Sequence, residues 1–156
     1  MWNFVGRQND IQGRYDYQDG NWLSGIPFID ELHLGTQENL PTDVLNNKGR
    51  NVYFFLPFIL GIIGIMYHAS RDRKSFYVLL VLFLFMGLAL KIYLNEIPFE
   101  PRERDYALVG SFYVFAIWIG FGVYALYESL QKYLAPKIAG PLVIGASLLA
   151  VPVLMG

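Results

Sequence analysis

Cysteine is absent from the 156 residues, and with it any disulfide framework or thiolate metal site. Charge is scarce: Asp, Glu, Lys and Arg make up 16% of the chain, against about 25% in an ordinary soluble domain, too few polar residues to cover a globule. There is no basic excess, and a formal net charge of −1 argues against a nucleic-acid binder, which would need a basic face. Internal repeats and low-complexity tracts are missing. So are a P-loop, a dinucleotide fingerprint, a nucleophile triad and any zinc-ligand spacing, which leaves no metal site and no cofactor to be read from motifs. The residues after Met1 do not read as a signal peptide, since no basic stretch is followed by an apolar one. Hydrophobic residues reach 54% and aromatics 17%, which excludes disorder. Such a composition asks for lipid.

The apolar residues fall into four blocks, 51–69, 75–94, 106–127 and 138–156. Each has roughly 19–22 residues, and at ~1.5 Å per residue a helix of that length crosses the ~30 Å hydrocarbon layer. Backbone in lipid must satisfy its own hydrogen bonds, so each block is expected to be a helix. The expected fold is an all-α membrane protein of about four transmembrane helices over 51–156, preceded by an extramembrane loop segment, 1–50. The fourth block carries Gly140, Pro141, Gly145 and Pro152 and stops at Gly156 without a polar anchor, which reads as truncation.

Connections between the blocks are short. Arg71, Arg73 and Lys74 crowd the first, and Lys132 and Lys137 mark the third, so the positive-inside rule places these two in the cytoplasm. Residues 1–50 and 95–105 are then external. A polar leader of that length without a targeting segment implies earlier spans in a longer polytopic protein.

Four groups of residues could carry function. In the loop 95–105, Arg102 and Arg104 stand among acidic neighbours; they suit either interfacial ion pairs or a phosphate, whose oxygens match the planar guanidinium fork. Asp105 is placed to cap the third span. Arg7, Gln8, Asn9 and Asp10 form a polar external run that suits a sugar or an ordinary loop. Asp30, Glu31 and His33 are too close in sequence to converge on a metal. Within the spans, Gly61 and Gly64 share a face with His68 and read as helix packing, with His68 at the interface rather than in a proton relay. Ala116 and Gly120 form a small-xxx-small seam in the third span, flanked by Tyr and Trp anchors.

Two stretches go further. Residues 1–13 (MWNFVGRQNDIQG), and 101–106 (PRERDY) running on through Gly110-Ser111-Phe112-Tyr113 to Gly120, resemble a bacterial membrane-protein family long labelled a domain of unknown function. That family is related to the eukaryotic transmembrane O-mannosyltransferase of IPT domains. The likeness covers essentially the whole chain, including Asn21-Trp22 and Gly25-Ile26-Pro27-Phe28. It implies a GT-C type glycosyltransferase in the bacterial inner membrane. The implied donor is a polyprenyl-phosphate sugar, and the implied acceptor is a Ser or Thr hydroxyl of an exported protein. In such enzymes the general base is an acidic residue of an external loop nearer the N-terminus than this portion, so no catalytic base carries over. The chain then reads as an internal fragment, inactive alone, whose partners are the bilayer and the rest of the same polytopic protein. Arg102 and Arg104 become donor-phosphate candidates. The alternative is a complete four-span scaffold or accessory subunit without catalysis.

Overall fold

The backbone of the computed structural model is mostly helical, and it describes residues 2–8, 22–37, 39–95 and 105–153. In chain order the elements are α1 (Trp2–Val5), β1 (Gly6–Arg7), α2 (Pro27–Leu34), α3 (Thr42–Leu45), β2 (Asn51–Val52), α4 (Leu56–Arg71), α5 (Arg73–Leu84), α6 (Leu90–Leu94), α7 (Val109–Leu130) and α8 (Pro136–Leu148). Two compact units result, the first centred on residues 2–57 and the second on 58–95 with 105–149.

In the first unit three short extended pieces lie side by side. β1 pairs antiparallel with β2, Gly6 opposite Val52 and Arg7 opposite Asn51, and Trp22 bridges to the other edge of Arg7. Backbone bonds from Leu23 to Gly6, Tyr53 to Val5 and Phe54 to Ser24 complete the arrangement. Gly6 makes it possible. Its φ of 125° belongs to glycine, and a Cβ there would lie 2.6 Å from the Asn51 carbonyl oxygen. Val5, Leu23, Leu34 and Tyr53 form the buried apolar centre of this unit.

The second unit is built on α7. α5 continues through a π-helical turn (Phe85–Ala89) into α6, giving one rod from Arg73 to Leu94 that ends at left-handed Asn95. At 22 residues it is about 33 Å long. The polypeptide between α4 and α5 is Asp72 alone. Its backbone is extended, and its carboxylate accepts the Lys74 and Ser75 amides at 3.0 and 3.3 Å, so it caps α5. Leu60, Val114, Phe115, Trp118, Ile119, Ala139 and Val143 are buried here.

Among the described residues two helices are long and apolar enough to cross a membrane, Arg73–Leu94 and Tyr106–Leu130, and four full-length spans are not found there. The first expected span shortens because Asn51 and Val52 are used in β2 and Phe54 and Phe55 both adopt positive φ, so the helix starts only at Leu56. α4 keeps 16 residues, about 24 Å. The fourth apolar helix, Lys137–Val151, is likewise short.

Candidate functional site

The polar chemistry of the first unit gathers around the start of α2. No side chain caps its N-terminus at Ile26. Instead Asp30, one turn inside, reaches back: its carboxylate accepts the Ser24 amide and hydroxyl and the Gly25 amide, each at 2.8 Å. Ser24 Oγ in turn accepts the Ile26 amide at 3.1 Å. Asp30 and Ser24 are both buried, so this carboxylate holds the entry to α2 by charge-assisted bonds that water does not contest.

His33 lies on the same helix, with Nδ1 3.0 Å from the Ile29 carbonyl and Nε2 3.0 Å from the Trp22 carbonyl. Its ring stacks on the Trp22 indole, centroids 3.8 Å apart. Asp30 and His33 thus serve separate structural purposes, and among the described residues no group of His, Asp or Glu could hold a metal ion.

Of the expected polar run, Arg7 and Gln8 are described, while Asn9 and Asp10 lie outside the described residues. The Arg7 amide donates to Asn51 Oδ1 at 3.0 Å and its Nε to the Gly49 carbonyl at 3.1 Å, so Arg7 ties β1 to the approach of β2. Gln8 is buried, and its Nε2 has no hydrogen-bond partner. Arg50 also leaves Nη1 buried without a partner. Burial draws its guanidinium below the ordinary arginine range, and the charge of Asp30 opposes that shift. Two orphaned donors, an amide and a guanidinium, therefore belong to the unit that the polar run opens.

Arg102 and Arg104 also lie outside the described residues. Asp105 opens a 3-10 turn (Asp105–Leu108), and α7 starts only after Leu108, which provides no side-chain cap. The chain thus tightens into 3-10 geometry before the α-helix begins.

Gly61 and Gly64 do face a helix. A Cβ at Gly61 would strike the Phe115 ring, and one at Gly64 would strike the Trp118 carbonyl and lie 2.7 Å from the Gly122 nitrogen. The other half of that contact is Gly122, where a Cβ would meet the Leu60 carbonyl. Ala116 and Gly120, expected to form the seam, are exposed, and nothing lies within 4 Å of a Cβ at Gly120. α7 is apolar on every side, so the small-residue spacing alone marks two faces, and the one bearing Phe115, Trp118 and Gly122 is the one α4 uses. His68, expected at the interface, is buried between the Phe121 and Phe76 rings, with Nδ1 unpartnered.

No protein-family model, curated protein or solved structure matches the chain.

Proposed function

We propose that the chain is a membrane-embedded part of a polytopic GT-C type glycosyltransferase, which moves a sugar from a polyprenyl-phosphate donor to a protein hydroxyl. In this reading the helices stand in the bacterial inner membrane with 1–50 and 95–105 outside, and Arg102 and Arg104 hold the donor phosphate. The catalytic base belongs to another part of the protein.

One observation carries the membrane half of the reading. The apolar rod Arg73–Leu94 buries no residue of its most apolar stretch, and Tyr77, Val78, Val81, Leu82, Phe85 and Leu88 lie open along it. Water does not tolerate an apolar surface of that extent, whereas lipid does. α4, α7 and α8 add exposed Met66, Ile117, Leu142 and Ile144. The enzymatic half is supported by the resemblance over 1–13 and 101–120, and by two arginines that precede α7 in the sequence and whose planar fork matches phosphate oxygens.

The test has two arms. Membranes carrying the chain are extracted with alkaline carbonate, which should leave it in the pellet; release into the supernatant overturns the membrane reading. In the full-length parent, Arg102→Ala with Arg104→Ala should raise the donor KM by about tenfold or more, the worth of one lost charged hydrogen bond. An unchanged donor KM overturns the assignment of the two arginines.

A further inference from the structure

Two grooves in the helical unit share a wall. The first, of about 710 Å³, opens where the end of α4, the start of α5 and the middle of α7 meet; Tyr67, His68, Arg71, Asp72 and Ser75 give it a polar end and Ile117 and Phe121 an apolar one. The second, of about 400 Å³, runs between α7 and α8 and is lined by Val123, Tyr127, Val143 and Ile144. Gly120 and Tyr124 line both. Gly120 adds no side chain to that shared wall, and the space where its Cβ would lie is open.

His68 says what the polar end lacks. It is 3% exposed, its ring is fixed against Phe121 with centroids 4.4 Å apart, and Nδ1 has no hydrogen-bond partner. A buried ring nitrogen left that way is costly unless a ligand completes it. The charges beside it favour an anion. Arg71 and Asp72 are the charged residues that line the groove, and the Asp72 carboxylate is already turned to the α5 cap, while Arg73 and Lys74 follow it in the sequence. Arg71 gives one nitrogen to Tyr67 and one to Glu128, out of five N–H donors. An acidic headgroup with an apolar tail matches both grooves, polar end and apolar continuation.

We propose that these grooves bind one anionic phospholipid of the surrounding bilayer. The phosphate sits among His68, Arg71 and Ser75, and an acyl chain passes over Gly120 into the groove between α7 and α8. This rests on the reading that the helices stand in lipid; on the orientation given above, the lipid comes from the cytoplasmic leaflet.

The experiment is lipid retention by native mass spectrometry. The chain, purified in detergent, is incubated with equal amounts of phosphatidylglycerol and phosphatidylcholine. Wild type should keep one phosphatidylglycerol with a preference of about fivefold or more, the effect of one basic residue near an anionic headgroup. Gly120→Leu, which enters open space and leaves the helices folded, should abolish that retention by blocking the tail. His68→Leu keeps the packing on Phe121 and should lower retention of phosphatidylglycerol by about fivefold. Equal retention of the two lipids, or full retention by Gly120→Leu, overturns the proposal. Displacement of the lipid by millimolar glycerol 3-phosphate also overturns it, in favour of a site for free phosphate. A chain that stays monodisperse in buffer without detergent refutes the membrane reading, an outcome distinct from a membrane chain that shows no lipid preference.

Discussion

The two units bring backbones together by opposite means. In the first, Gly6, Leu23 and Val52 meet through backbone hydrogen bonds, and a buried carboxylate, Asp30, gathers three donors from a neighbouring turn. In the second, α4 and α7 touch where Gly64 and Gly122 remove side chains, with Phe115 and Trp118 closing around the contact. Among the polar side chains there, Ser111 bonds back to Leu108 and Ser129 to Ala125, while Tyr67, Arg71 and Glu128 gather at one end. A helix already satisfies its backbone, so its association rests on shape; short extended pieces do not, so theirs rests on hydrogen bonds.

The sharpest way to break the contrast is Gly64→Leu. The obstruction is the Trp118 carbonyl, which is backbone and cannot rotate away, so α4 has to leave α7. We expect a loss of at least about 3 kcal/mol, read as a lowered unfolding temperature in detergent. Amides of the first unit, Leu23 and Tyr53 among them, should keep their protection from hydrogen exchange. A variant that melts like wild type would show that the helical unit is not held by glycine contacts.

Asp30→Ala is the corresponding blow to the first unit. It strands the Ser24 and Gly25 amides and the Ser24 hydroxyl in a buried setting, at an expected cost of about 2–4 kcal/mol. Hydrogen exchange at residues 22–34 should accelerate while the helices are unaffected. Unchanged exchange would mean that the carboxylate contributes nothing beyond what water supplies.

Much of this was legible in the residues, and the failures share a cause. Helices over the apolar blocks follow from local composition, and the face shared by Gly61 and Gly64 follows from their spacing. The partner of that face does not, because α7 is apolar all round; Ala116 and Gly120 carry as good a pattern as Gly122. The early end of the first apolar block is a pairing between residues 6 and 52, which no local pattern in 51–55 reveals. His68 is buried by Phe76 and Phe121, which come from two other helices, so its burial is a tertiary fact. Asp30 was legible only as an acid near His33; its partners at residues 24 and 25 depend on how the turn before α2 folds back. The turns with π geometry at 85–89 and 149–153 have no signature comparable to the glycines that mark the α4 contact.

The smallest expected effect is also the most discriminating between the units. Glu128 accepts the Tyr67 hydroxyl at 2.7 Å and pairs with Arg71, the longest-range polar contact among the described residues of the helical unit. Both charged side chains are substantially exposed, 61% for Arg71 and 38% for Glu128, and pairs of that kind contribute little because solvent screens them and two long side chains must be ordered. Glu128→Gln should therefore leave the unfolding temperature within measurement error, since glutamine still accepts from Tyr67. The same change releases Arg71 from its only acidic partner in the described structure, so retention of phosphatidylglycerol should rise rather than fall. If instead Glu128→Gln lowers stability as far as Asp30→Ala does, a polar contact is holding the helices together, and the division between a unit held by shape and a unit held by hydrogen bonds fails.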